Sequence, residues 1–126
     1  MRIPEYLFYS TEHLWAKSVG DGVWEAGITD YAQDLLGDVV FIEPPKMASL
    51  LVGGQPCGLV ESVKTGSDLH ALVDGKVVDI NDNLLNNPEL INDKPYEAWI
   101  FKFKSSEDLQ QKLLSAEAYK VLISDL

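Results

Sequence analysis

Glu61-Ser62-Val63-Lys64-Thr65-Gly66-Ser67-Asp68 lies between two short apolar runs, Pro56–Val60 and Leu69–Val73. Both runs have the length and residue types of strands. The stretch between them is mostly polar, carries a single lysine, and has Gly66 where a tight turn favours a residue without a side chain. The pattern predicts a β-hairpin with Lys64 at its tip. An amine held there stands away from the surface on a stiff turn, which suits covalent acylation of its nitrogen. A surface lysine is ordinarily a solvated charge, so the setting, and not the residue, carries the reading.

Outward from this hairpin the chain is punctuated into further short strands. Tyr6–Tyr9, Leu14–Val19 and Val23–Ile28 are β-type runs, with Gly20-Asp21-Gly22 turning the second into the third. A helix is expected from Asp30 as N-cap, with Gln33 three residues later and Gly37 as its stop. Asp38–Glu43 is extended and ends at Pro44-Pro45. Asp74-Gly75 reads as a two-residue hairpin joining Leu69–Val73 to Lys76–Ile80. Asn81–Asp93 is polar and reads as a loop with one helical turn. Ala98–Phe103 returns to strand, with Trp99, Phe101 and Phe103 on one face. After Ser105 the spacing is helical, with stripes Leu109, Leu113, Leu114 and Ala118, Leu122, Ile123. The expected class is mostly β with α appendages, a small barrel or sandwich forming one domain over residues 1–126.

Twenty acidic and ten basic residues give a net charge of −10, which argues against nucleic acid and anionic membrane as partners. The single cysteine, Cys57, excludes an internal disulfide and sits in an apolar run as a small hydrophobe. No apolar stretch has membrane-spanning length and the N-terminus lacks a secretory h-region, so a cytoplasmic protein is expected. Catalytic parts are scarce. His13 and His70 are the only histidines and have no metal-ligand spacing; no serine lies in a Gly-x-Ser-x-Gly setting, and no glycine loop is built for phosphate. Glu107-Asp108 opens a helix, where negative charge suits the dipole. The lysine hairpin is the one candidate centre of chemistry, and the protein is not expected to be an enzyme.

Val60–Ile80 resembles the lipoyl-attachment hairpin of the glycine-cleavage H-protein family. The resemblance extends to Tyr9-Ser10-Thr11-Glu12-His13-Leu14-Trp15, to the block Gly27–Asp38, to Asn87-Pro88-Glu89-Leu90-Ile91-Asn92, and to Pro95-Tyr96, Trp99 and Ala116-Glu117-Ala118-Tyr119. It implies a flattened barrel-sandwich hybrid, lipoyl-domain-like, with one helix in its first half and helices at its C-terminus. It implies lipoate as covalent cofactor on Lys64, with Glu61 and Asp68 as the charges a modifying enzyme reads. It also implies a non-catalytic carrier whose arm shuttles an aminomethyl group. The implied partners are a lipoate ligase or transferase, the P, T and L proteins of glycine cleavage, and hence dihydrolipoyl dehydrogenase. Biotin carriers use a similar hairpin but place methionine on both sides of the lysine, where this chain has Val63 and Thr65.

The departures are specific. The family's His-Glu-Trp triplet, whose glutamate helps to hold the cargo's amine, reads His13-Leu14-Trp15 here. Asp68 matches the family's second amine-holding carboxylate, and Glu12 is a candidate replacement only if a regular pleat aims it as Leu14 is aimed. His70, Ala71-Leu72 and Ala98 also differ from the common pattern. Leu14 motivates an alternative: a lipoate-binding protein carrying sulfur intermediates beside a heterodisulfide-reductase-like complex in sulfur oxidation. An unmodified binding or regulatory module is the third reading.

Overall fold

The computed structural model describes residues 1–126. Its strands are β1 (Phe8–Tyr9), β2 (Leu14–Gly20), β3 (Val23–Ile28), β4 (Val39–Glu43), β5 (Leu50–Leu51), β6 (Pro56–Ser62), β7 (Gly66–His70), β8 (Gly75–Ile80) and β9 (Phe101–Lys104). The helices are α1 (Asp30–Leu36), α2 (Asp82–Asn86), α3 (Leu90–Asp93), α4 (Leu109–Lys112) and α5 (Ala116–Ser124). A six-stranded sheet runs β1-β2-β3-β9-β8-β5 and a three-stranded sheet runs β4-β6-β7, with every pairing antiparallel. This is the expected mostly-β barrel-sandwich, with α1 in the first half and α4 and α5 at the end.

β2 explains how the layers are joined. Leu14 and Ala16 enter the main core of 21 buried residues. Trp15, on the opposite face, enters a second cluster with Leu7, Tyr9, Tyr96, Ala116 and Tyr119. Alternation along one strand therefore buries both faces, one inside the sandwich and one under α5. The Trp15 indole N–H is shared between Ile28 O at 3.0 Å and Pro95 O at 3.1 Å, so its burial leaves no donor unmet. Tyr9 stacks on Tyr119 with ring centroids 4.7 Å apart. A two-way backbone bridge between Tyr9 and Leu114, at 2.9 and 2.8 Å, fixes the chain just before α5.

Several local expectations change. The N-cap of α1 is Thr29, whose hydroxyl accepts from Ala32 N–H, and Asp30 is the first helical residue. Asn81–Asp93 holds two short helices, α2 and α3. Asp74-Gly75 is not a hairpin, because β7 belongs to the three-stranded sheet and β8 pairs with β5 and β9 in the other. Gly75 is needed for close approach: a methyl group there would lie 2.7 Å from Lys104 O. Trp99 precedes β9 and packs with the second cluster, while Phe101 and Phe103 fill the main core. On α5 it is Ala116 and Tyr119 that are buried, and Ala118 faces outward.

Candidate functional site: the lysine hairpin and its cleft

β6 and β7 pair through Leu59–Asp68, Val60–Ser67 and Glu61–Gly66, leaving Val63, Lys64 and Thr65 at the tip. Ser62 closes this turn. Its backbone N–H donates to Thr65 O at 2.7 Å. Its hydroxyl oxygen accepts from Lys64 N–H at 3.3 Å and Thr65 N–H at 3.2 Å, and its hydroxyl proton reaches Thr65 O at 3.2 Å. A serine side chain thus gathers backbone groups that the ladder cannot reach. Gly66 is outside the left-handed region and belongs to the strand, so Ser62, not Gly66, makes the tight turn. Ser62 is 8% exposed, whereas the neighbouring Val63 is 71% exposed.

The tip is also braced from below. Val63 N–H donates to Asp38 O at 3.0 Å, which ties it to the segment after α1. Gly37 ends α1 with φ of 80°, and a methyl group at this position would lie 3.3 Å from Lys64 Cε. The alkyl stem of the lysine rests on a bare glycine. Asn92 of α3 fixes that glycine, donating to Gly37 O at 2.8 Å and Gln33 Oε1 at 3.0 Å and accepting from Val39 N–H at 2.8 Å. Lys64 is exposed and forms no ion pair; the three lysine–glutamate pairs of the molecule lie elsewhere.

A cleft of about 300 Å³ opens beside the hairpin and starts at Thr65, the residue after Lys64. Leu14, Ile28, Leu36, Val60 and Leu69 form its apolar floor, and Glu12, His13 and Asp68 bring the polar groups. Asp68 therefore reaches the cleft, whereas Glu61 is exposed on β6 opposite Gly66 and is not part of it. Leu14 is 1% exposed and belongs to the main core as well as to the cleft floor. Glu12 arrives by a route other than a regular pleat. It precedes β2, in a turn where His13 has φ of 69° and donates its N–H to Ser10 O at 3.1 Å. That left-handed step swings Glu12 to the cleft that Leu14 lines. Glu12 Oε2 is also 3.9 Å from Nδ1 of half-buried His70.

His13 titrates below the ordinary histidine range because burial disfavours the imidazolium, with Glu12 opposing. Cys57, on the edge of the core, is pushed up to about 11 by burial and is a packing residue. No group of histidine, cysteine and carboxylate side chains is arranged to hold a metal ion, and no helix is long and apolar enough to cross a membrane. The site has an amine, two nearby carboxylates and an apolar trough. The parts that Ser62, Gly37 and Asn92 play around Lys64 were not among the sequence expectations, where Gly37 figures only as a helix stop. The Ser-x-x-Thr spacing at the tip was a usable sign of a side-chain-closed turn, but nothing local linked Asn92 to Gly37.

Residues 7–126 match the family model described as glycine cleavage H-protein. The glycine cleavage system H protein of Methylobacillus flagellatus is 58% identical over 123 residues, covering 98% of this chain and 99% of that protein. That of Escherichia coli is 44% identical over 125 residues, covering 98% and 97%. Among solved structures, a glycine cleavage system H protein from Mycobacterium marinum superposes with a TM-score of 0.87 at 32% identity, over 97% of this chain and 99% of that one. Sequence, fold and the lysine hairpin agree: this chain belongs to the glycine cleavage H-protein family.

Proposed function

We propose that Lys64 carries lipoate through an amide to its Nζ, and that residues 1–126 act as one non-catalytic carrier domain for glycine cleavage. The observation that carries this is the junction of three features: an unpaired lysine on a braced tip, a glycine cradle under its stem, and an apolar trough beginning at the next residue. When bound, lipoate supplies a disulfide–dithiol couple at the end of a long flexible chain. The residues present fit such a group, since an acyl chain is matched by the floor of Leu14, Ile28, Leu36, Val60 and Leu69. Ser62 and Gly37 would hold the attachment point at a constant height and direction, which a modifying ligase or transferase needs. Glu12 and Asp68 would face a cationic group in the cleft, where a charge-assisted hydrogen bond contributes roughly 1.5–3 kcal/mol. In this reading Glu12 supplies the carboxylate that Leu14 lacks.

The partners follow from the family: a lipoate ligase or transferase, the P and T proteins, and the L protein, dihydrolipoyl dehydrogenase. The sulfur-oxidation alternative has no support among these relatives. Glu61, exposed beside the tip, is assigned to recognition by the modifying enzyme and not to the cleft. The test is intact mass spectrometry after co-expression with a lipoate ligase. The wild type should gain one lipoyl amide and Lys64→Ala none. An unmodified wild type, or an adduct that survives Lys64→Ala, would overturn the assignment.

A further inference from the structure

His13 is joined to the far end of the chain by a partly buried hydrogen-bond chain whose direction can be counted out. Thr29 Oγ1 accepts from Ala32 N–H at 3.2 Å and lies 2.8 Å from Tyr119 Oη. Tyr119 Oη in turn lies 2.8 Å from His13 Nδ1. Thr29 is fully buried, and Tyr119 is the one acceptor its hydroxyl proton has. If Tyr119 donated to Thr29, that threonine proton would be orphaned in the interior, which folded proteins avoid. Thr29 therefore donates to Tyr119, and the single phenolic proton of Tyr119 is left for His13. An imidazole that accepts at Nδ1 is neutral and carries its proton on Nε2. Nε2 has no partner within the protein and is not sealed from solvent, while the ring lines the cleft.

We propose that Tyr119 of α5 is a positioning residue of the cleft, holding His13 as the neutral Nε2–H form so that the ring offers one hydrogen-bond donor and no charge. The backbone supports a demanding arrangement here: His13 is a non-glycine residue at φ of 69°, fixed by Ser10 and by Thr29 N–H donating to His13 O at 3.0 Å. Burial acts in the same direction, disfavouring the charged ring. The titratable groups that face it are Glu12 in its own turn, Tyr31 of α1 with ring centroids 4.9 Å away, Tyr119 of α5, and Asp68 on the cleft wall. With His13 neutral, the ionised side chains of the cleft are Glu12 and Asp68 alone. The cleft then favours a ligand with a cationic end and an acceptor atom for His13 N–H, and it disfavours an anionic one. For what enters the cleft, this rests on the carrier reading.

The test is long-range proton–nitrogen correlation of the histidine rings in the uniformly labelled, unmodified full chain, with His70→Gln assigning the two rings. At neutral pH the expected His13 signature is a proton on Nε2 and an unprotonated, acceptor-type Nδ1. In Tyr119→Phe the ring should exchange between tautomers, and its titration midpoint should move up. A proton on Nδ1 or a charged ring in the wild type overturns the proposal, and so does an unchanged signature in folded Tyr119→Phe. The wild-type measurement stands even if that variant does not fold. Because the sample is unmodified, failure of Lys64 to accept lipoate would sink the carrier reading and leave the His13 result to be judged separately.

Discussion

Replacing Ser62 by alanine tests whether the hairpin tip is held by a side chain or by its backbone alone. The substitution removes two accepted bonds, from Lys64 and Thr65 N–H at 3.3 and 3.2 Å, and one donated bond to Thr65 O at 3.2 Å. It keeps the Ser62 N–H to Thr65 O bond of 2.7 Å and the Val63 N–H to Asp38 O bond of 3.0 Å. A protein hydrogen bond contributes about 0.5–1.5 kcal/mol net, and three long ones near an exposed tip belong at the low end. Water can reach the freed groups of Lys64 and Thr65, which are both exposed, so the loss should total about 1–2 kcal/mol. For a domain of this size that corresponds to a melting temperature lower by about 3–8 °C. The same loss disorders the lysine tip, and about 1.4 kcal/mol corresponds to tenfold, so lipoylation should slow by up to about that factor. Differential scanning calorimetry and initial rates with a lipoate ligase measure the two effects. Ser62→Thr keeps the oxygen and should recover most of the rate. A melting temperature within about one degree of wild type together with an unchanged rate would refute the reasoning.

Gly37→Ala places a side chain at φ of 80° and 3.3 Å from Lys64 Cε. With ψ of −158° this is a conformation essentially reserved for glycine and costs another residue about 1–3 kcal/mol, so unfolding in urea should shift to lower concentration and lipoylation should slow; wild-type behaviour in both would dismiss the glycine cradle. Leu14→Glu removes a core leucine that is 1% exposed, and should cost about 2–4 kcal/mol. Burial raises the new carboxyl in the folded state, so its contribution is kept at low pH and lost as pH rises; the deficit should be larger at about pH 8 than at about pH 5 in urea melts, and a pH-independent deficit would count against this. Burial raises Cys57 to about 11, and it raises Tyr9, Tyr96 and Tyr119 as well. The folded state therefore binds more protons than the unfolded one at alkaline pH. Their stabilising contribution is complete below the unfolded values and declines as pH rises, for Cys57 between about 9 and 11. Melting temperature should fall above about pH 9, and less steeply in Cys57→Ala; equal slopes would reject the thiol's share.

The features legible in the chain are those decided within a few residues. Short β-type runs marked most of the strands, although the run expected at Leu69–Val73 is the strand Gly66–His70; Gly37 stopped α1, and the octapeptide Glu61–Asp68 put Lys64 on a hairpin. These depend on local sterics and on which face of a short run is apolar, and both are written in neighbouring side chains. Asp74-Gly75 shows the limit of that information. The dipeptide has hairpin chemistry, yet the chain leaves one sheet there for the other, because β8 gains partners on β5 and β9 that no local pattern names. Glu12 is similar: spacing alone tied its aim to a regular pleat, and the left-handed step at His13 overrides the pleat. The cradle for Lys64 and the hydrogen-bond chain to His13 depend on closure of the whole fold. Asn92 meets Gly37 55 residues away, and Tyr119 meets Thr29 90 residues away. Such meetings are fixed only when two sheets and the C-terminal helix pack together, so the amine belongs to the sequence and its surroundings belong to the tertiary structure.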